Sequence, residues 1–286
     1  MTDVQRFIPV SLEVLRPLVN REATSVFLAR NPRLGIHCVL KRLAFQSEQW
    51  AVAERLHWLQ HPHVCRVVEY GADDEVFFHV MELLEGPTLH ELLHRQGTLA
   101  LRRALTLTRQ MCDGLEAMHA MGLCHADPKP SNVVVGRRMG MGECAMIIDF
   151  GISTLLAPAL SASSEDLASA PIPGTPAYMA PERFSETGGV SSDIYAMGVV
   201  LFRLLTGELP FRAETVDAYR QAHESASVPI ERLREKCPQV VPQVIEALTT
   251  AMAKDPEQRF ASAAAMRDAL LIDIAPALVL PDWNEL

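Results

Sequence analysis

No C-x-x-C pair occurs in this sequence. Its six cysteines, at 38, 65, 112, 124, 144 and 237, are scattered. That spacing argues against a zinc site or a disulfide framework and for reduced, mostly buried thiols. Excess positive charge is missing as well. Lys and Arg number 26 against 35 Asp and Glu, a formal net charge of −9, which argues against non-specific nucleic-acid binding. No apolar run approaches the ~18–20 residues that span a bilayer; the most apolar stretch, Ala196 to Leu205, is interrupted by Arg203. Met1-Thr2-Asp3 does not open a basic segment followed by an apolar core, so no signal peptide is expected. The expectation is a soluble, cytoplasmic chain with no membrane span and no nucleic-acid partner. Internal repeats and low-complexity tracts are also absent. His61-Pro62-His63 invites a metal, but no Cys or carboxylate stands at ligand spacing, and the run reads as a helix-terminating turn.

What is present is a large apolar fraction. Hydrophobic residues make up 49% and charged residues 21% of 286 residues, enough for one large domain or two intimate lobes. Residues 13–45 read as strand material with turns. Ser25–Ala29 and Ile36–Lys41 are β-rich and flank the turn sequence Asn31-Pro32-Arg33-Leu34-Gly35. Ser47–Leu59 has helical spacing, with Val52, Leu56 and Leu59 on one face. Val64–Tyr70 and Glu75–Leu83 read as two further strands. Past Gly86-Pro87 the period becomes helical, over Thr88–Arg95, Leu101–Met121, Ser192–Thr206, Val216–Glu224, Pro242–Lys254 and Ser262–Ile272. Gly122 and Gly207 stand where C-terminal glycines end helices. Leu155–Pro173, rich in Ser, Ala and Pro, is long enough to be a functional loop.

Two short runs carry chemistry: His125-Ala126-Asp127-Pro128-Lys129-Pro130-Ser131-Asn132 and Asp149-Phe150-Gly151. Phosphoryl transfer needs a group to orient the attacking hydroxyl, cations to neutralise charge, and oxygen ligands for Mg²⁺. Asp127, Lys129, Asn132 and Asp149 are side chains of those kinds. The order H-x-D-x-K-P-x-N followed by I-D-F-G resembles the catalytic-loop and metal-binding signatures of protein kinases. Gly174-Thr175-Pro176-Ala177-Tyr178-Met179-Ala180-Pro181-Glu182 resembles that family's peptide-positioning segment. Ser192–Gly198, Thr206–Phe211 and Lys254–Phe260 extend the likeness. The chain therefore resembles a Hanks-type Ser/Thr protein kinase of the bacterial eukaryotic-like group, over roughly residues 13–272.

The resemblance implies an α+β, bilobal protein-kinase fold. An N-lobe (13–84) of antiparallel sheet plus one helix would precede a mainly helical C-lobe (85–272), with an extension at 1–12 and a tail at 273–286. It implies ATP and Mg²⁺ as cofactors and Ser or Thr hydroxyls of protein substrates as acceptors. Asp127 would orient the hydroxyl, Lys129 would offset γ-phosphate charge, and Asn132 and Asp149 would hold the metal. Lys41, closing the strand Cys38-Val39-Leu40-Lys41, would meet the α- and β-phosphates. Leu18, Val26, Val39 and Met81 would wall the nucleotide pocket, with Glu82 to Leu84 as the hinge at the adenine edge. Thr175 would position the substrate, and Arg259 would pair with Glu182. With no sensor domain beside the kinase, regulation is expected from a separate chain.

Four departures from the family pattern stand out. Val19, Arg21 and Thr24 occupy the glycine positions of the phosphate-covering loop, where glycine allows backbone N–H groups to approach phosphate. Either Arg21 supplies a guanidinium instead, or the hairpin no longer grips nucleotide tightly. Val52 stands where the helix should carry a Glu for Lys41, which makes Glu48, one turn earlier, the candidate partner; Glu54 points nearly opposite. The connection from Lys41 to His61 is short for the family. Ala126 replaces the H-R-D arginine, so switching by a loop phosphate is expected to be weak or absent; Ser161, Ser163, Ser164 and Ser169 remain modification candidates. A pseudokinase scaffold is the alternative these departures motivate. A small-molecule phosphotransferase shares the H-x-D loop, but lacks a segment like 174–182.

Overall fold

The computed structural model describes residues 12–21, 24–44, 48–72, 76–138, 140–149, 175–185 and 188–272. The first part is a five-stranded antiparallel sheet: β1 (Glu13–Arg21), β2 (Thr24–Asn31), β3 (Ile36–Ala44), β4 (Val67–Ala72) and β5 (Val76–Glu82), in the order β1-β2-β3-β5-β4. One helix, α1 (Glu48–Trp58), connects β3 to β4 and packs on β4. Alternation along β3 sorts its side chains onto two faces. Cys38 and Leu40 join Phe27, Ala29 and Val80 in one cluster. Val39 and Leu43 pack on the opposite side, in the cluster shared with α1 and the helical part. Lys41 lies between them on that second face, buried at 3% exposure.

After the hinge the chain turns helical: α2 (Leu89–Gln96), α3 (Leu101–Ala120), α4 (Val190–Thr206), α5 (Val216–Ser225), α6 (Ile230–Lys236), α7 (Pro242–Ala251) and α8 (Ala263–Ala269). The α2 start is written in its capping box. Thr88 Oγ1 accepts from Glu91 N, and Glu91 Oε2 accepts from Thr88 N, at 3.1 and 2.8 Å. α4 is buried on nearly every side, the mark of a helix at the centre of a lobe. Gly207 takes the left-handed conformation, φ 74°, that ends it. A two-stranded hairpin, β6 (Val133–Arg138) and β7 (Gly142–Ile147), sits on α3 just beyond the hinge.

The α+β bilobal expectation holds. Periodicity missed α6, whose seven residues give too few turns to read, and β6, whose apolar Val133-Val134-Val135 run is too short to type; of β7 only the apolar strand end Met146-Ile147-Ile148 before Asp149 is legible. It also ran α7 and α8 too long: Pro242–Lys254 stops at Ala251 and Ser262–Ile272 stops at Ala269. Ser262 is the N-cap of α8, its hydroxyl accepting from Ala265 N. The segment 155–173 and the tail at 273–286 lie outside the described residues, as do most of 1–12.

The lobes meet where the chain leaves the hinge. Gly86 has φ +139°, and a Cβ there would lie 2.2 Å from the Val135 carbonyl oxygen. Gly136 is in the same position against the Glu85 carbonyl, also at 2.2 Å. Two backbones thus touch where only glycine fits. Gly86→Ala is expected to destabilise the protein by about 2 kcal/mol or more through clash and positive φ together. Urea denaturation, read as a lower midpoint at unchanged m-value, checks it.

Candidate active site

Local sequence sets the turn at 125–127, and α4 locks it. The chain turns sharply from His125 to Asp127, with Ala126 at φ 66°. A non-glycine residue there costs about 1 kcal/mol, so something must hold it. Asp193 does. Fully buried in α4, its carboxylate accepts from His125 N and Ala126 N at 2.8 Å each, and from His119 Nε2 at 2.9 Å. His119, Cys124 and Asp193 bring ligand-type atoms within 4.8 Å of one another, but the carboxylate is already engaged by these donors. His125 is buried too. Its Nε2 donates to the Ile148 carbonyl at 3.2 Å and its Nδ1 accepts from Asp127 N at 3.3 Å. Burial holds its pKa below the ordinary histidine value, so the neutral tautomer that these two bonds require is the stable one.

That turn presents Asp127 to Lys129 and Thr175. One carboxylate oxygen pairs with Lys129 Nζ, and the other accepts from Thr175 N at 3.2 Å. Lys129 Nζ also donates to Thr175 Oγ1 at 2.6 Å. Three expected site residues, Asp127, Lys129 and Thr175, are therefore in direct contact, although 48 positions separate the outer two. Asn132, in the 3-10 turn Pro130–Asn132, donates through Nδ2 to the Asp127 carbonyl at 3.0 Å. Its amide oxygen is the remaining ligand-type atom.

Asp149 follows β7 with φ 59°, the second non-glycine residue in the left-handed region among those described. Its Oδ1 pairs with Lys41 Nζ. This ion pair joins the two lobes and was not foreseen from sequence, where Lys41 and Asp149 carry separate roles. Burial pushes the Lys41 ammonium down to about 8, with Lys129 adding repulsion; the Asp149 carboxylate acts in the opposite direction. An amide oxygen and a half-exposed carboxylate form a hard oxygen donor set, the kind Mg²⁺ takes.

Around the cleft, Val39 pairs across the sheet with Met81 and Val26 with Lys41. Met81 is buried, and Val26 and Val39 are half-buried. Leu18 falls at a register shift between Pro17 and Val19 and is exposed. Leu84 packs with Val134, Met146 and Ile148 beneath the hinge, a floor that the sequence reading did not assign. The Glu82 side chain turns elsewhere: Oε1 accepts from Arg66 N at 3.0 Å and from Arg138 Nη2 at 2.5 Å. Its main-chain N donates to the Arg66 carbonyl at 3.0 Å, and its carbonyl accepts from Cys65 Sγ at 3.7 Å.

The glycine-free hairpin is strand to its tip. Pairing continues through Val19–Val26 and Asn20–Ser25 to Arg21–Thr24, so all three former glycine positions lie in paired strand. Glu22 and Ala23, at the tip, lie outside the described residues, as do the side chains of Arg21, Thr24 and Glu48. Glu48 opens α1, while Glu54 is exposed on the helix's outer side. Phe150 and Gly151, and the candidate serines of 161–169, also lie outside.

The segment beside the site is clamped from below. Arg259, whose side chain is inaccessible to solvent, grips Glu182 with two bonds, Nη1 to Oε1 at 2.7 Å and Nη2 to Oε2 at 2.8 Å. The pairing implied by the family resemblance is therefore present. Burial alone would raise the Glu182 carboxyl, but Arg259 and Ser192 outweigh it and set the pKa below the usual value. With the folded pKa below the unfolded one, the stabilisation is present above the unfolded value of about 4.3 and disappears as pH falls through the folded value. Arg259→Leu is expected to cost about 3 kcal/mol at neutral pH, because it leaves a carboxylate unpaired. The difference from wild type, followed by chemical denaturation from pH 7 to 3, should shrink as Glu182 protonates.

Comparison with known proteins agrees with this architecture. The family model described as "Protein kinase domain" matches residues 22–271. The chain is 33% identical over 267 residues to serine/threonine-protein kinase pkn2 of Myxococcus xanthus, covering 90% of this chain and 32% of that protein. It is 32% identical over 263 residues to serine/threonine-protein kinase PknB of Mycolicibacterium smegmatis, covering 87% and 40% respectively. The chain thus spans between about a third and two fifths of the length of these curated relatives. A crystal structure of Rad53 1-466 in complex with AMP-PNP superposes with a TM-score of 0.76 at 22% identity, covering 91% of this chain and 64% of that one.

Proposed function

The chain belongs to the Hanks-type protein kinase family, and from that we propose that it transfers the γ-phosphoryl group of ATP to serine or threonine hydroxyls of protein substrates. The observation that carries this reading is the contact of Asp127, Lys129 and Thr175, which gathers a proton acceptor, a cation and a substrate-side hydroxyl at one point. Asp127 orients the incoming hydroxyl and accepts its proton as the oxygen–phosphorus bond forms. The bond between the γ-phosphorus and the bridging oxygen breaks, and ADP leaves. Lys129 offsets charge on the transferred group, and Lys41 meets the α- and β-phosphates. Asn132 and Asp149 would hold Mg²⁺, which supplies charge neutralisation on the phosphates when bound. Leu18, Val26, Val39, Met81 and Leu84, with the Glu82 main chain, enclose the base.

The kinase domain in this reading is 13–272, with lobes at 13–84 and 85–272. No helix among the described residues is long and apolar enough to cross a membrane. We infer a cytoplasmic enzyme regulated by a separate chain. Ala126 in place of arginine supports that, because it removes one anchor for an activating phosphate. With labelled ATP, Mg²⁺ and a generic basic protein, Asp127→Asn is expected to lower transfer by about 10²–10⁴-fold. Phosphoamino-acid analysis should return phosphoserine and phosphothreonine; dominant phosphotyrosine would refute the acceptor assignment.

One observation favours a second reading, a kinase-fold scaffold. Strand pairing to Arg21–Thr24 puts side chains where glycine would let amides reach phosphate. Titration with ATP separates the two readings. The enzyme reading expects affinity that strengthens with Mg²⁺ and weakens on Arg21→Ala; Mg²⁺-independent, barely detectable binding supports the scaffold.

A further inference from the structure

Lys41 has a neighbour the mechanism above does not use. In the β3–β5 register Lys41 stands opposite His79, between the pairs Val39–Met81 and Leu43–Phe77. Cross-strand partners on one face have Cβ atoms about 4.5–5.5 Å apart, and Phe77 and Met81 both belong to the core shared with α1. His79 therefore shares the face from which Lys41 reaches the cleft. It is 1% exposed, and its Nδ1 is buried with no hydrogen-bond partner. An orphaned polar atom in such a place carries a desolvation cost that no hydrogen bond offsets.

The rest of the surroundings are apolar. Across the sheet His79 faces Tyr70 of β4, and Trp50 of α1 packs edge-on against Tyr70 and Phe77 at 5.5 and 6.1 Å. The buried and half-buried side chains that α1 presents among its described residues are Val52, Ala53, Leu56 and His57, none of them a carboxylate, and Glu54 is exposed. Lys41 pairs instead with Asp149. In the proposed reaction Asp149 is a metal ligand, so its carboxylate cannot remain committed to the ammonium. A buried ammonium carries three donors and must find acceptors for them. Burial, with Lys41 adding repulsion, pushes the His79 pKa to about 3. The imidazole is thus neutral, and in the tautomer protonated at Nε2 its Nδ1 is an acceptor.

We propose that His79 is a positioning residue for Lys41, its Nδ1 accepting from the Lys41 ammonium when Asp149 turns to the metal, in the place of the helix glutamate that this chain lacks at position 52. The inference rests on the kinase reading and adds a specific part to it. A neutral acceptor fixes the direction of the ammonium without neutralising it, and so leaves its full charge for the phosphates. It also relieves the orphaned nitrogen. Two defects of the resting arrangement, an unpartnered acceptor and a lysine tied to a metal ligand, resolve in one movement.

The test compares His79→Leu, which keeps bulk and loses the acceptor, with His79→Gln, which keeps an acceptor oxygen. Thermal unfolding establishes that each is folded; should the Leu variant not fold, His79→Met replaces it. The expected result is a fall of about 10- to 100-fold in kcat/KM for ATP in the Leu variant, by misplacement of Lys41, with KM for the protein substrate unchanged. The Gln variant should recover most of the activity. Glu54→Gln, on the exposed side of α1, should stay within about threefold of wild type. Equal losses in Leu and Gln, no loss in either, or a loss confined to Glu54→Gln would each overturn the proposal. If wild type transfers no phosphate, the kinase reading falls by itself. The same comparison is then read as the Kd for a fluorescent ATP analogue, with weakening in Leu and recovery in Gln expected, and equal affinities or no analogue binding overturning it.

Discussion

The turn that presents Asp127 keeps its shape because a carboxylate that water never reaches holds two of its amides. Asp193 accepts from His125 N and Ala126 N, and Ala126 is thereby kept in a left-handed conformation that alanine does not adopt unaided. A buried carboxylate is tolerable only when it is fully hydrogen-bonded, so the dependence runs both ways. Helix α4 needs the loop to satisfy Asp193, and the loop needs α4 to hold its bend. Everything that meets at Asp127, from Lys129 to Thr175, inherits its position from this contact.

The lobes are joined at several points, among them the Arg138–Glu82 pair and the backbone bonds of Ile147 with Cys65 and His63. Close backbone contact at Gly86 and Gly136 sets the hinge, and the Lys41–Asp149 pair reaches across the cleft. The first is steric and rigid. The second is an ion pair with one half-exposed member, and it involves a residue proposed to serve a metal. One of the contacts across the cleft is therefore an interaction that the proposed chemistry would exchange for another. His79 has the location and the vacant acceptor to take part in that exchange.

Much of the site was legible in the sequence because it is local or carried by typed spacings. Asp127, Lys129 and Asn132 fall within six consecutive positions, and their backbone turn brings them together. Thr175 was legible only through family resemblance, as was the Arg259–Glu182 clamp. Asp193 appeared in the same resemblance but without a role; an aspartate at the head of the apolar run Ile194–Leu205 is the signal that could have exposed it. His79 left no signal. A histidine in an apolar strand reads as core until register shows which residue stands across from it.

The sequence by itself determined the family, the two-lobed α+β plan and the identity of the acidic and basic groups, because these depend on residue type and on spacings of a few positions. Only the tertiary structure decided which of those groups touch. Lys41 meets Asp149 rather than a described carboxylate on α1, the Glu82 side chain turns to Arg138, and the former glycine positions of the first hairpin lie in paired strand. Each is a matter of strand register or of contact between residues far apart in the chain. Register follows from how whole faces bury, which no short window of sequence contains.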